Sequence, residues 1–444
     1  MPQTDAQSLA IRLKHELPPT APIPSAMQTF ACRRIPLSYF EWCRARYGDQ
    51  FTMYPLDMAP TVFLSNPRDI RTVLTAPPTV LHPGAGGVAI RPIVGEHSFM
   101  LAEEDEHLSG RRTTSPAFNS KATQTHVEMV AGIVERETDS WPLDTAFPVH
   151  PRLRSLTLTV ILRTVFGEET AELQTLHDKL LEMLSVTTSF VLVEPRLRHL
   201  PGWSRTWRRF VRDRHEVDGL ISALITHARR GGETRSILGM LLAARNTDGT
   251  AMSDQQVRDH IMSVILAGHE TTASELAWAF QLLAHNPAVQ GKLIAEVTSE
   301  AADEYLTATV QEVLRHRPVF LFAIPRVVVE PIEIGGWTYR PPAQLLGCIY
   351  LMHHDPALYP DPHRFRPERF LQTPPEPLTW LPWGGGRKRC PGQHLATLEM
   401  QTVLRATLAK HTIEPAGPHI ERARWRSVIV TPHAGSRIIL RRRQ

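Results

Sequence analysis

A glycine-rich, cationic loop near the end of the chain, LPWGGGRKRCPG at 381–392, contains one cysteine, Cys390. A buried structural cysteine prefers apolar neighbours, so a thiol in this setting is better suited to binding or reaction. Glycines let backbone N–H groups approach the sulfur, and the neighbouring cations favour the ionised thiol. Pro391 precedes a helical pattern, which predicts that the sulfur lies near a helix N-terminus, where negative charge is stabilised. The alternative is an incidental cysteine in a surface loop.

Cys390 has no second metal ligand close to it in the sequence. None of the cysteines forms a CxxC pair, so neither a zinc ribbon nor a dithiol redox motif is visible; they are Cys32, Cys43, Cys348 and Cys390. A thiolate is a soft ligand for iron or zinc, and a single thiolate suits a metal that other ligands already hold, as in haem. Such sparse cysteine use fits a reducing cytosol.

The clearest predicted helix begins near Ser253 and contains AGHETT at 267–272. SDQQ is a capping-box pattern, and the helical periodicity continues to about His285, a length of roughly 30 residues or ~45 Å. Glycine followed by Glu-Thr-Thr is locally unfavourable in an apolar helix, which indicates a functional site. At 100° per residue, Thr271 shares a face with four other residues of this helix, and His269 lies about 160° from Thr271. These four residues are Val264, Ala267, Gly268 and Glu275.

Two further residue pairs are weak evidence for a functional site when each is taken alone. Glu312 and Arg315 form an ExxR pair, which is a common helical salt bridge and occurs twice more in this chain. His107 and Arg111 share a helical face and could bind an anion, although a solvated charged face is the simpler interpretation.

Composition indicates an ordinary globular protein rather than a nucleic-acid binder. Of 444 residues, 42% are hydrophobic and 21% charged, and the net charge is only +4. The N-terminus shows neither a signal-peptide core nor a membrane span, so a cytoplasmic location is expected. Prolines at 18–24 separate an arm, 1–20, from one large domain, 21–444, which reads as mainly α with a minor β-sheet region.

The chain resembles the cytochrome P-450 family of haem-thiolate monooxygenases. Four motifs carry the resemblance in the family's order: AGHETT at 267–272, EVLR at 312–315, FRPERF at 365–370 and WGGGRKRCPG at 383–392. Two positions depart from the family pattern, because Trp383 stands where Phe is usual and Lys388 where Arg is usual. Both changes are mild, although Lys lacks the bidentate fork of Arg. The resemblance implies one haem domain with a long helix crossing the haem.

The resemblance also implies roles for individual residues. Cys390 would be the axial ligand of the iron of haem b, whose thiolate favours O–O cleavage. Glu270 and Thr271 match the family's acid–alcohol pair, which would deliver protons. A Thr hydroxyl in a helix can instead bond the carbonyl four residues earlier. Four residues match positions that bind haem propionates: His107, Arg111, Arg326 and Lys388. Three match the structural ion-pair triad: Glu312, Arg315 and Arg369.

The expected reaction is oxidation of a hydrophobic small molecule by hydroxylation, epoxidation or oxidative coupling, in secondary metabolism. The expected pocket residues are Val264, Ala267, Gly268, Phe320, Phe322 and Val428. No flavin or dinucleotide fingerprint is present, so electrons would come from a separate partner. The resemblance implies that this partner is a ferredoxin with its reductase, docking near Arg387 and Arg389. The arginine-rich run at 203–215 is expected to be a solvated helix rather than a dock for a carrier protein. The protein is expected to be a monomer with no membrane anchor; the alternatives are a haem carrier or sensor, and a haem-thiolate peroxygenase or isomerase.

Overall fold

The long helix predicted from the sequence runs through the middle of the fold. In the computed structural model it spans Asp254–Ala284, and Ser253 and Gln256 form the reciprocal capping box. Most of its 31 residues are buried, so other elements surround it on nearly every side. The structure describes residues 17–55, 59–83, 90–102, 110–167, 170–188, 198–231, 236–246, 248–299, 302–426 and 428–443.

Helices form most of the described chain. In chain order they are α1 Ser25–Arg34, α2 Pro36–Tyr47, α3 Pro67–Thr75, α4 Arg91–Val94, α5 Ser120–Gln124, α6 Val127–Asp139, α7 His150–Phe166, α8 Ala171–Leu184, α9 Trp203–Gly231, α10 Ile237–Ala243, α11 Asp254–Ala284, α12 Pro287–Val297, α13 Glu304–His316, α14 Ile349–His353, α15 Glu368–Gln372 and α16 Gln393–Lys410. The central helix α11 packs against α7, α9, α13 and α16, so it contacts both the ExxR helix and the helix that follows Cys390.

Short strands form four small sheets. They are β1 Gln50–Met53, β2 Thr61–Leu64, β3 Leu81–His82, β4 Phe147–Pro148, β5 Arg326–Val328, β6 Ile332–Ile334, β7 Trp337–Tyr339, β8 Gln344–Gly347, β9 His411–Pro415, β10 Ala423–Arg426, β11 Ile429–Pro432 and β12 Arg437–Arg442. The largest sheet has the order β1-β2-β8-β5-β3, with a parallel β2–β8 pair; the others are β4-β12-β9 and the hairpins β6–β7 and β10–β11. The mainly α fold with a minor sheet is thus confirmed.

The core has a large helical part around α11 and a smaller part beneath the five-stranded sheet. Leu17 is buried in the smaller part, and Thr20 pairs with Thr52 at the edge of β1. This body of the fold therefore includes residues 17–20, which the sequence pattern places in an arm. On α16, Met400, Val403 and Thr407 are buried.

Candidate active site

The cysteine loop is a tight turn that directs one sulfur toward the start of a helix. A short 3-10 segment, Gly386–Lys388, precedes Cys390, and α16 begins at Gln393. Gly386 has a φ of 63°, and a Cβ there would lie 2.5 Å from the carbonyl oxygen of Leu74 on α3, so only glycine fits. The N–H of Cys390 donates to the carbonyl of Trp383 at 2.9 Å, which closes the loop.

The sulfur of Cys390 is half-buried among hydrogen-bond donors and cations. Burial raises the pKa of the Cys390 thiol, whereas the N–H of Gly392 and the guanidinium groups of Arg111 and Arg389 favour the thiolate. Arg111 Nη1 donates to the carbonyl oxygens of Arg389 at 2.5 Å and Arg387 at 3.1 Å. Arg111 therefore holds the loop and supplies positive charge near the sulfur.

One stripe in the middle of the central helix remains accessible, although the helix is buried on both sides of it, at 257–265 and 272–284. Ala267 is exposed, and Gly268 and Thr271 are partly exposed, while the residues from 272 to 284 are all buried. The Thr271 hydroxyl donates to the carbonyl of Ala267 at 2.7 Å, which is the back-bonding alternative considered above. Its oxygen lone pairs stay available as acceptors. Val264 lies on this face of the helix pattern and is buried.

Gly268 has a packing role in addition to the expected one. A Cβ on this residue would lie 2.9 Å from Ile161 Cδ1 on α7, the helix that crosses α11. The missing side chain therefore permits close packing of two helices, while the partly exposed Gly268 remains on the accessible stripe. Accessible space on this face is provided at Ala267 and Thr271.

Glu270 is the centre of a buried ionic cluster. Its Oε2 lies 2.6 Å from Arg154 Nε on α7, and its Oε1 lies 2.8 Å from Arg426 Nε on β10. His150 and His269 each place Nε2 3.6 Å from a carboxylate oxygen of Glu270. The carboxylate is thus engaged by two guanidinium groups rather than free beside Thr271. Buried His269 points away from the accessible stripe, as the helical wheel predicts.

Arg326 and Lys388 both donate hydrogen bonds to backbone carbonyls. Arg326 is 5% exposed, and Nη1 donates only to the carbonyls of Ile324 and Pro325, at 3.0 and 3.4 Å. Burial lowers the pKa of this guanidinium, and no carboxylate pairs with it among the residues described. Lys388 Nζ donates to the carbonyl of Ala102 at 3.3 Å. His107 lies outside the described residues.

The ion-pair triad forms as the motifs predict. Arg315 donates from Nε and Nη2 to the two oxygens of Glu312 at 2.7 and 2.9 Å, and both side chains are fully buried. Arg369 Nε lies 3.1 Å from Glu312 Oε2. Further donation from Arg315 Nη1 to the carbonyl of His353, at 2.8 Å, links α13 to the segment before the cysteine loop. The triad therefore joins three distant parts of the chain.

The predicted pocket residues after α13 separate into two groups. Phe320 and Val428 are 37% and 45% exposed, so both can contact a ligand. Phe322 instead packs its ring against Phe40 and Phe63, with centroids 4.8 and 5.0 Å away. The partly buried Phe322 side chain therefore packs against the hydrophobic core, whereas that of Phe320 is exposed. The assignment of Phe322 to the pocket is therefore corrected.

The roles of three residues were not predicted from the sequence. Arg154 and Arg426 reach Glu270 from distant segments, so no local pattern identifies them. Glu275, which the wheel placed on the Thr271 face, is fully buried and accepts a hydrogen bond from the N–H of Val319 at 2.9 Å. Burial raises the pKa of Glu275 well above its usual range. An acidic residue within ASELAWAF is the only sequence signal of this buried carboxyl.

The donor set fits a haem rather than a metal held by protein ligands alone. Within the described ranges, no three His, Cys, Asp or Glu side chains cluster as metal ligands would. An iron porphyrin with carboxylate substituents requires a ligand for the iron, an accessible face and cations for its carboxylates. The protein offers the Cys390 thiol, the accessible stripe on α11, which contacts α16, and Arg326, which pairs with no carboxylate among the described residues. Across the described residues, no helix combines the length and apolar character that a membrane span requires.

Comparison with known proteins agrees with this geometry. The model of the family described as Cytochrome P450 matches residues 17–438. Cytochrome P450 135B1 of Mycobacterium tuberculosis is 34% identical over 436 residues, covering 96% of this chain and 91% of that protein. Cytochrome P450 138 of Mycobacterium bovis is 32% identical over 439 residues, covering 96% of this chain and 97% of that protein.

Solved structures share the fold. Cyanobacterial CYP120A1 with bound retinoic acid matches with a TM-score of 0.82 and 22% identity, covering 96% of this chain and 99% of that one. The haem domain of cytochrome P450DA matches with a TM-score of 0.83 and 20% identity, covering 96% and 98% of the two chains. The family model and these relatives match nearly the whole chain, and the geometry of the cysteine loop agrees with them. The protein therefore belongs to the cytochrome P450 family.

Proposed function

We propose that this cytochrome P450, a haem-thiolate monooxygenase, binds haem b through Cys390 and oxidises a hydrophobic small molecule of secondary metabolism. The observation that carries the proposal is the position of the sulfur. It lies next to the N–H of Gly392 and two guanidinium groups, at the start of a helix that packs on the central helix. Backbone donors and cations of this kind stabilise a coordinating thiolate.

The chain's own residues would hold the haem from two sides. Arg326 and Lys388 would bind the propionates, together with His107, since carboxylates pair well with such donors. Arg111 would have a dual role, because its described hydrogen bonds go to the cysteine loop. The triad of Glu312, Arg315 and Arg369 would keep this loop in place rather than take part in the chemistry.

When bound, the haem supplies the activation of dioxygen, and the thiolate ligand favours O–O cleavage. Thr271 orients its hydrogen toward Ala267, so its Oγ1 can accept a hydrogen bond from a water or ligand at the accessible stripe. Glu270 and Thr271 would form the acid–alcohol pair that delivers protons through such a water. Release of Glu270 from Arg154 or Arg426 would be required first, because both carboxylate oxygens are held.

The substrate would be apolar and would enter beside the segment after α13. Phe320, Ile324 and Val428 are 37%, 43% and 45% exposed, which is high for large apolar side chains near a buried helix. Hydroxylation, epoxidation or oxidative coupling are all consistent with such a site. Electrons would come from a ferredoxin and its reductase, which would dock on the exposed Arg387 and Arg389. We further propose a cytoplasmic monomer.

The test is product formation by the reconstituted enzyme. Candidate apolar compounds are first screened for a substrate-induced spin-state change of the haem. A binder is then incubated with NADPH, ferredoxin and ferredoxin reductase under air, and oxidised products are measured by mass spectrometry. Incorporation of oxygen from labelled dioxygen supports the proposal. Oxidation only with hydrogen peroxide would indicate a peroxygenase, and haem binding without any oxidation of bound compounds would indicate a carrier or sensor.

A further inference from the structure

A buried acid that the proposed mechanism does not use, Glu275, lies beside the accessible stripe of the central helix. It is 5% exposed and follows Thr271 by four residues. Four residues of an α-helix turn by about 400°, so the two side chains lie about 40° apart around α11, with their Cβ atoms about 5–6 Å apart. Long side chains in a helix point toward its N-terminus, so that of Glu275 extends toward the turn that carries Thr271.

The carboxyl group of Glu275 also contacts the segment that carries the predicted pocket residue Phe320. Its Oε1 accepts a hydrogen bond from the N–H of Val319 at 2.9 Å. The carbonyl of Val319 accepts in turn from the N–H of Val430 at 2.9 Å, and the side chain of Phe320 is 37% exposed. The acid therefore lies between the accessible stripe on α11 and the segment that would contact a substrate.

Its surroundings keep this carboxyl group in the neutral form. Burial raises the pKa of Glu275 well above its usual range, and the hydrogen bond from Val319 opposes this effect only in part. No cation in the part of the chain that the structure describes offsets the effect of burial. An ionised carboxylate without such a partner is costly to bury, so Glu275 carries a proton at neutral pH.

The proton of this neutral acid lies on an oxygen that has no partner. Oε2 of Glu275 is buried and makes no hydrogen bond to the described residues. Because Oε1 already accepts from Val319, the hydrogen is placed on Oε2. A buried O–H donor without an acceptor is unfavourable. Oγ1 of Thr271 can provide the acceptor, directly or through one water, because its own hydrogen is directed to the carbonyl of Ala267.

The two acids on this part of α11 are held in different ways. The carboxylate of Glu270 contacts the guanidinium groups of Arg154 and Arg426, and such partners favour the charged form of an acid. Glu275 contacts a backbone N–H and no cation among the described residues. Glu270 is therefore part of an ionic cluster, whereas Glu275 can store a proton.

From this arrangement we propose that Glu275 stores a proton for the oxygen chemistry and passes it to the accessible stripe through Thr271. The inference rests on the proposed role of Thr271. The Oε2–H bond of Glu275 would break as its proton moves to Oγ1 of Thr271, directly or through one water. The hydroxyl hydrogen of Thr271 would leave the carbonyl of Ala267 for an acceptor at the stripe. The carboxylate of Glu275 would regain a proton from water that enters when the product leaves, and no electron moves in these steps.

A proton stored inside the site is useful because an apolar substrate would cover the stripe. The monooxygenase reaction consumes protons, and a substrate that displaces bulk water also removes their most direct source. A neutral acid can wait in an apolar site at little cost, whereas a charged donor cannot. Glu275 would therefore supply its proton without an open water path to the surface.

The first experiment detects the stored proton by infrared spectroscopy of the purified holoenzyme at neutral pH. Spectra in the region of the protonated carboxyl C=O stretch are recorded for the parent, for Glu275→Gln and for the matched control Glu399→Gln. Glu399 on α16 is 2% exposed, its Oε2 has no partner among the described residues, and burial likewise raises its pKa well above the usual range. Each variant should lose one protonated-carboxyl band, which assigns the two bands.

Thr271→Ala then tests the contact between the acid and the alcohol. It should shift the infrared band of Glu275 and leave that of Glu399 in place, because only Glu275 loses its acceptor. Absence of the Glu275 band at neutral pH, or a Glu275 band that Thr271→Ala does not move, would overturn the proposal. Neither result depends on turnover.

The second experiment measures product formed per NADPH consumed, with ferredoxin, its reductase and the compound that gives the spin-state change described above. Gln at position 275 keeps an acceptor for the N–H of Val319 but has no proton to give, so a purely structural role predicts unchanged coupling. Loss of a positioned acid predicts a decrease of about tenfold or more. Glu399→Gln should couple as the parent does, and haem absorbance with urea unfolding verifies that each variant is folded.

The outcomes separate this inference from the proposed function. Equal coupling in Glu275→Gln and in a parent that forms product would overturn the role of Glu275 and leave the monooxygenase assignment in place. A parent that forms no product would refute the monooxygenase assignment, and the infrared response to Thr271→Ala would still decide whether Glu275 holds a proton against Thr271.

Discussion

The ionic cluster at Glu270 provides a quantitative test of the site. The change Glu270→Gln keeps the shape of the side chain but removes the charge that two arginines share. The side chains of Glu270, Arg154 and Arg426 are only 11%, 13% and 21% exposed, so water screens the pairs weakly. Removing one partner of a buried ion pair costs about 3–5 kcal/mol, because the other charge stays buried and uncompensated. With partial exposure taken into account, we expect a loss of about 2–4 kcal/mol.

The assay is urea unfolding of the holoenzyme, followed by far-UV circular dichroism and by haem absorbance. Glu333→Gln is the matched control, because Glu333 is exposed on β6. Surface changes of this kind usually shift stability by no more than about 0.5 kcal/mol. Arg426→Gln should fall between the two, since Glu270 keeps Arg154. Equal stability of Glu270→Gln and Glu333→Gln would refute the cluster as a structural element.

Three further outcomes are expected. Thr271→Ala should increase the reductant consumed per product formed, whereas Thr271→Ser should preserve coupling; full coupling in the alanine variant would remove Thr271 from the proposed role. Reversing charge at Arg387 and Arg389 to Glu should slow reduction by ferredoxin without changing substrate affinity, while Arg208→Glu should not, as stopped-flow absorbance can determine. Burial, then the charges of Arg426 and Arg154, lower the pKa of His150 from 6.5 to about 3. His150 binds a proton more readily in the unfolded protein. Its contribution to the free energy of unfolding therefore decreases as pH falls below 6.5, by about 1.4 kcal/mol per pH unit. His150→Gln should therefore flatten the decline in unfolding free energy between pH 6.5 and 4.5, and an unchanged slope would contradict the neutral buried state.

Features set by short-range pattern were predictable from the sequence. The capping box at Ser253 and the periodicity up to residue 284 define α11 because helix ends and faces are local properties. The cysteine loop was equally predictable, because its glycines are a local sequence feature and the backbone at Gly386 leaves space only for glycine. Arg369, the third member of the ion-pair triad, was assigned from the order of the motifs, because helix spacing does not relate it to the ExxR pair.

Features set by long-range packing were not predictable. Arg154 and Arg426 reach Glu270 from α7 and β10, and nothing near Glu270 in the sequence specifies them. The close approach of Ile161 to Gly268 was not predicted, because the helical wheel gives the direction around α11 but not which neighbour lies there. Phe320 and Phe322 are the same residue type, so the sequence does not distinguish them. The packing of the Phe322 ring against other aromatic rings places Phe322 in the core and leaves Phe320 at the surface.

The central claim is that the sulfur of Cys390 is the protein ligand of the haem iron. The most direct test is the optical difference spectrum of the dithionite-reduced, carbon monoxide-bound protein, recorded for the parent and for Cys390→His. Thiolate ligation predicts a strongly red-shifted Soret band in the parent, which the histidine variant should replace with the ordinary imidazole-type band. An imidazole-type band in the freshly purified, folded parent, or a red-shifted band that survives in the variant, would contradict the assignment.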